Sequence, residues 1–131
     1  MAECRPEHTS IRENRIYIKT VSPIVAYVTR EDGSTVFYSP EDEEFCAMIR
    51  ANAARKWRSF TGRAEAPAFR CVPLALTPFR KQVTMFKDTR INAWHGAFEL
   101  SGDTQLLELL YNAGLGAKSS QGFGMFALCP K

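Results

Sequence analysis

Two stretches of helical periodicity, each set between extended segments, leave this chain few ways to fold. The first opens at Ser39-Pro40-Glu41-Asp42. A serine at the N-cap, a proline at the first helical position and carboxylates from Glu41 to Glu44 at the positive end of the macrodipole together mark a helix start. Phe45, Met48, Ile49, Ala53 and Trp57 recur at helical spacing as a buried stripe, and Gly62 supplies a stop. The second helix is capped at Ser101-Gly102-Asp103, and Leu106, Leu107, Leu109, Leu110 and Tyr111 give it an apolar face.

The segments around these helices alternate as strands do. Arg15–Val28 is rich in β-branched and aromatic residues and reads as a strand interrupted at Ser22-Pro23, since proline cannot donate to a ladder. A turn at Asp32-Gly33 makes a hairpin of the next stretch. Ala68–Leu76 reads as a second strand, and FRKQVTMF (Phe79–Phe86) continues extended. Thr89–Gly102 reads as one long strand with a bulge at Gly96, placing Ile91, Ala93 and His95 on one face and Trp94, Phe98 and Leu100 on the other. Met125–Leu128 is a last short strand. The order is βαββαβ with a decorated first connection, which predicts an α+β, ferredoxin-like fold: a four-stranded antiparallel sheet with two helices on one face. Residues 1–14 read as a flexible lead-in and 15–131 as a single domain.

The chain has 131 residues, 45% hydrophobic and 24% charged, which suits one globular domain. A net charge of +3 is mildly basic and compatible with a polyanionic partner. The four cysteines, Cys4, Cys46, Cys71 and Cys129, form no CxxC pair and are expected as free thiols in a reducing, cytoplasmic setting. Neither they nor His8 and His95 have ligand spacing, so no metal or other cofactor is expected. No run approaches the roughly 18 apolar residues of a membrane span.

Between the second helix and the last strand stands GLGAKSSQGFG (Gly114–Gly124), with four glycines in eleven positions. A P-loop needs GxxxxGK[ST] after a strand, and no glycine directly precedes Lys118. The dinucleotide fingerprint GxGxxG fails because Ser119 stands three positions after Gly116. A helix C-cap explains Gly114 but not the second unit, Gly122-Phe123-Gly124, with a lysine between. Glycine–x–glycine turns let backbone N–H groups face an anion, and Lys118, Ser119, Ser120 and Gln121 add charge and short donors. The segment therefore reads as a phosphate-facing loop.

The pattern glycine–hydrophobic–glycine, five residues including a lysine, glycine–aromatic–glycine resembles the signature of the CRISPR-associated repeat-RNA endoribonucleases, the sixth Cas family within the RAMP superfamily. The stretches IKTVSPIV, YSPEDEEF, FELSGD and LLYNAGLGAKSSQGFGMF resemble the second half of such proteins in the same order, covering about residues 15 to 128. The resemblance implies a C-terminal RNA-binding domain of an enzyme that grips the repeat of a precursor transcript and cuts it by metal-independent attack of a ribose 2′-OH. That chemistry needs a general base and acid with cations for the phosphorane charge. In many members the catalytic histidine lies in the first domain, so the catalytic half is expected to be absent from this chain. His95 is then a packed strand residue before it is a catalytic one, and His8 matches no family motif.

By position in the motif, Gly114, Gly116, Lys118, Ser119, Ser120, Gln121, Gly122 and Gly124 are the expected RNA contacts. Charge adds Arg55, Lys56, Arg58, Arg80, Lys81, Lys87 and Arg90 as phosphate contacts. Trp94, Phe86 and Phe79 are candidates to stack on bases, with Trp57 better suited to the core. The partner implied is CRISPR repeat RNA, with no DNA expected; other CRISPR-associated proteins and a second copy of the chain are left open. Two further readings stand beside this one: a non-catalytic subunit docking in a CRISPR ribonucleoprotein complex, and a self-sufficient ribonuclease using His95 with Lys118.

Overall fold

The structure is a computed structural model that describes residues 11–75 and 78–129. Among these residues, strands and helices follow in the order β1 (Arg15–Thr20), β2 (Tyr27–Thr29), β3 (Thr35–Phe37), α1 (Glu43–Thr61), β4 (Phe69–Leu74), β5 (Arg80–Phe86), β6 (Thr89–His95), β7 (Ala97–Gly102), α2 (Thr104–Ala113) and β8 (Phe126–Cys129). The main sheet runs β4-β7-β1-β8, and every neighbouring pair in it is antiparallel. With α1 after β1 and α2 after β7, this is the ferredoxin-like βαββαβ arrangement.

One face of that sheet is the core. Ile18 pairs with Phe98 and Leu128, and Cys71 pairs with Leu100, so these side chains lie on the same side. Phe45, Ile49 and Trp57 of α1 and Leu106, Leu107 and Leu110 of α2 close over them in one cluster. Phe45 stacks on Phe98 at 5.8 Å between ring centroids. Ile11 joins the same core, and its N–H donates to the Glu108 carboxylate (3.1 Å).

Two hairpins decorate the sheet. The first, β2–β3, turns at Asp32-Gly33 as expected. The second, β5–β6, departs from the single long strand read over Thr89–Gly102. The chain breaks at Gly96: β6 pairs with β5 in its own two-stranded sheet, while β7 pairs with β1 and β4. The buried face changes there as well, from Ile91 and Ala93 before the break to Phe98 and Leu100 after it. Phe79 explains the glycine, because a Cβ on Gly96 would lie 2.4 Å from the Phe79 ring.

Helix α1 starts later than the proline signal indicates. Ser39–Asp42 form a turn in which the Asp42 N–H donates to the Ser39 carbonyl (2.9 Å) and the Ser39 N–H donates to the Asp42 carboxylate (2.7 Å). The N-cap is therefore Asp42, three residues beyond Ser39. Gly62 ends the helix with φ +72°, as its position implies. Of the cysteines expected as free thiols, Cys46 and Cys71 are free, whereas Cys129 is disulfide-bonded. Among the described residues no helix is long and apolar enough to cross a membrane.

Candidate nucleic-acid interface

The glycine segment leaves α2 and returns to β8 through a short 3-10 turn at Ser119–Gln121. Its two ends are buried and its tip, Ser120 to Gly122, is exposed. The glycines at the ends are imposed by close backbone approach. A Cβ on Gly124 would meet the Leu115 carbonyl at 2.0 Å, and one on Gly116 would meet the Val25 carbonyl at 2.7 Å. Both have positive φ, which excludes ordinary side chains on backbone grounds too. Leu115 and Phe123, inside the two glycine units, are buried anchors.

The N–H groups of the loop go largely to the protein itself. Gly114 donates to Leu110, Gly122 to Ser119 and Gly124 to Pro23, at 2.8, 3.0 and 2.9 Å. The Ala117 N–H donates to the Val25 carbonyl (2.8 Å), so the segment is laced to the chain just after the Ser22-Pro23 break. The glycines shape the loop; those three do not offer their N–H groups to an anion.

Lys56 is the other brace. Its Nζ, half-buried under the loop, donates to the Gly114 carbonyl (2.5 Å), the Gly116 carbonyl (2.9 Å) and Ser119 Oγ (3.0 Å). An ammonium has three donors, and all three serve the loop. Burial lowers its pKa to about 8. Lys56 is thus a strut for the loop and not the phosphate contact that its charge suggested. Ser119, whose hydroxyl also donates to the Gly116 carbonyl (3.3 Å), belongs to the same internal arrangement.

Lys118 has the opposite disposition. It adopts a left-handed backbone (φ +59°), uncommon for a residue with a Cβ, and this turns its side chain over the Tyr27 ring of β2, with Nζ 5.0 Å from the centroid. Arg55, next to Lys56 on α1, lines the same groove with Tyr27, Met48, Asn52 and Ala117. The groove encloses about 430 Å³ between β2, α1 and the glycine segment. Asn52 lines it too, with its Oδ1 shut from solvent and without a hydrogen-bond partner among the described residues. The groove thus gathers two cations, an aromatic face and a carboxamide.

The remaining cations divide between two places. Arg58 lies with Arg50 along another hollow, against Pro67 and Phe69, away from the loop. Arg80, Lys81, Lys87 and Arg90 are all exposed on the β5–β6 hairpin, which also exposes Val83 and Met85. Of the stacking candidates, Trp57 is buried and Phe79 packs on Phe98 at 5.8 Å, so both are core residues; Trp94 is half-buried, and the Phe86 side chain lies outside what is described. Tyr27, which sequence reasoning did not single out, is the aromatic residue nearest the loop's lysine.

His95 stands at the base of that hairpin. Its Nδ1 lies 3.0 Å from Thr20 Oγ1 and its Nε2 3.1 Å from Gln82 Oε1. Thr20 Oγ1 accepts the Gly96 N–H (3.1 Å), so the hydroxyl donates to Nδ1 and Nε2–H donates to the carboxamide. Burial, and secondarily the nearby Arg80 charge, lowers its pKa. A neutral imidazole joining β1, β5 and β6 accounts for this geometry. His8 lies outside the described residues.

The family model described as CRISPR associated protein Cas6, C-terminal, matches residues 5–128. The CRISPR-associated endoribonuclease Cas6 of Pyrococcus furiosus is 32% identical over 108 residues, 81% of this chain and 39% of that protein. The CRISPR-associated endoribonuclease Cas6 1 of Methanocaldococcus jannaschii is 29% identical over 111 residues, 82% of this chain and 43% of that one. A solved structure titled CRISPR associated protein Cas6 superposes with a TM-score of 0.74 at 29% identity, covering 85% of this chain and 47% of its own. The chain therefore spans less than half the length of each of these proteins.

Proposed function

The chain belongs to the CRISPR-associated Cas6 family, matching its C-terminal part, and on that premise we propose that it holds the repeat RNA of a CRISPR precursor transcript for cleavage. The observation that carries this reading is the groove in which Arg55 and Lys118 converge beside Tyr27, with the loop tip exposed next to it. Two cations lining one groove suit a phosphodiester backbone, whose neutralisation dominates affinity for nucleic acids. The exposed cations of the β5–β6 hairpin extend the basic surface. Cleavage on this reading is metal-independent attack of a 2′-OH on the adjacent phosphate, with the acid and base supplied from outside the described residues. The engagement of both ring nitrogens of His95 supports that assignment.

The test is a fluorescence-anisotropy titration of labelled repeat RNA across a salt series, with wild-type chain and the Arg55→Ala plus Lys118→Ala variant. The variant is expected to bind on the order of tenfold more weakly, with a salt slope shallower by about 0.7 for each single-strand phosphate it no longer neutralises. Equal affinity and equal slope for the two proteins, with matching thermal melts, would refute the role given to the groove.

A further inference from the structure

Where α1 meets β4 stands a pair of side chains that RNA binding does not use. Cys46 is in the first turn of α1 and half-buried; Cys71 is buried on the core face of β4, opposite Leu100 of β7. The helix packs on that strand, and Cys46 rests against the core that contains Cys71. The Cys71 S–H donates a hydrogen bond to the Cys46 sulfur. Two sulfurs facing each other across helix and strand have the arrangement that a disulfide needs. Both cysteines line a surface hollow of about 410 Å³, with the exposed Glu43, Arg50 and Arg70 beside them. The Cys71 hydrogen bond holds the Cys46 thiol below the ordinary thiol range, against the opposing effect of burial and with help from Arg50 and Arg70. Donation to Cys46, and burial, push Cys71 the other way. The thiolate is the form that attacks an oxidant, so one sulfur is the reachable nucleophile and the other the partner held behind it.

We infer that Cys46 and Cys71 are a peroxide-responsive dithiol that closes into a disulfide and pins the start of α1 to β4, an edge strand of the main sheet. The Cys46 thiolate attacks one oxygen of hydrogen peroxide; the O–O bond breaks, a sulfenic acid forms on Cys46, and the other oxygen leaves as hydroxide and takes a proton to become water. The Cys71 sulfur then attacks the Cys46 sulfur. The S–S bond forms as the S–O bond breaks, and the Cys71 proton goes to the departing hydroxide as a second water. Two thiols are oxidised and one peroxide is reduced to two waters. A reachable thiol of lowered pKa next to a second, resolving thiol is the pattern of redox-sensing cysteines. The cross-link closes a loop that takes in the rest of α1, including Arg55 and the Lys56 strut of the glycine segment. This inference is independent of the RNA-holding reading, since it uses none of the groove residues.

The experiment treats the whole chain with hydrogen peroxide at neutral pH, blocks remaining thiols with iodoacetamide, digests with trypsin without reductant and maps the peptides by mass. Cys46 and Cys71 fall on separate tryptic peptides, residues 31–50 and 71–80, and neither peptide contains Cys4 or Cys129. The two peptides are expected to appear joined, lighter by two hydrogens than their sum. Cys46 should be consumed several-fold faster than the same thiol in the isolated 31–50 peptide. In Cys71→Ser, dimedone is expected to trap a sulfenic acid on Cys46 that wild-type chain does not accumulate. Oxidised wild-type chain is expected to melt several degrees higher than before treatment, a shift that Cys46→Ser lacks. If peroxide leaves Cys46 as a sulfenic or sulfinic acid with no joined peptides, or joins it only between chains, the dithiol is overturned. If the joined peptides form and the chain melts no higher, the pinning of α1 is overturned. The wild-type peptide map decides the matter even where Cys71→Ser does not fold.

Discussion

Lys56 shows how one side chain can set the shape of a segment far from it in sequence. Its three acceptors are Gly114, Gly116 and Ser119, and Lys56→Met removes all their shared donors at once. Leaving buried acceptors unsatisfied costs about 1–3 kcal/mol, so the variant is expected to melt several degrees lower in a calorimetric scan. A pH signature accompanies this. The folded pKa of Lys56 is lowered from 10.5 to about 8 by burial, so between those values the unfolded chain binds the extra proton. Stability contributed by this group is therefore expected to rise as pH goes from about 8 toward 10.5, and that rise should vanish from the difference curve of Lys56→Met. The glycines make a second residue-scale contrast. Gly124→Ala drives a Cβ to 2.0 Å from the Leu115 carbonyl, whereas Gly122, with φ +95°, has nothing within 4 Å of its Cβ position. Denaturant unfolding should show Gly122→Ala losing about 1 kcal/mol, the left-handed backbone cost alone, and Gly124→Ala losing several times that or not folding.

The β5–β6 hairpin carries four exposed cations, Arg80, Lys81, Lys87 and Arg90. Replacing Arg80, Lys81 and Arg90 together by alanine is expected to leave the melting temperature within a degree or two and to flatten the salt dependence of RNA binding by about 0.7 per phosphate left without its cation. Unaltered salt slopes would remove the hairpin from the interface. One of its attachments is His95, bonded to Thr20 of β1, beside the paired backbone bonds between Ile24 and Trp94 (2.8 and 2.9 Å). Because burial lowers the His95 pKa below 6.5, the unfolded chain takes up the proton first as pH falls. The His95 contribution is thus present above 6.5 and is lost on acidification through the lowered folded value. Amide hydrogen exchange in β5 and β6 should accelerate in that acid range before exchange in β7 does.

At the scale of the molecule two bodies of packed side chains are distinguishable. The larger lies between the helices and the four-stranded sheet; the smaller, Val25, Ile91, Ala93 and Phe123, ties the second hairpin to the glycine segment. Ile91→Ala is therefore expected to lower exchange protection in the hairpin and the loop while α2 and β7 keep theirs. The larger body was legible from the sequence because helical stripes and period-two alternation are local patterns: α2, β1, β4 and the antiparallel order follow from them. The split at Gly96 was not, because the alternation runs on unbroken in composition and the Phe79 ring that packs against Gly96 stands 17 residues earlier. The start of α1 misled for a related reason: Ser39 and Asp42 hydrogen-bond to each other's backbone and make a turn of what reads as a cap. The loop itself was visible as an unusual run of glycines, but Lys56 read as a surface cation and Tyr27 as a strand residue, since their meeting with the loop is long-range. That dependence bears on exchange of parts between relatives. Residues 114–124 are not a portable cassette: transplanted alone into another ferredoxin-like scaffold, they lack the amine from α1 and the carbonyls of Pro23 and Val25 that they lean on. The heritable unit is three separated stretches, and a chimera that swaps one of them inherits a loop of different shape.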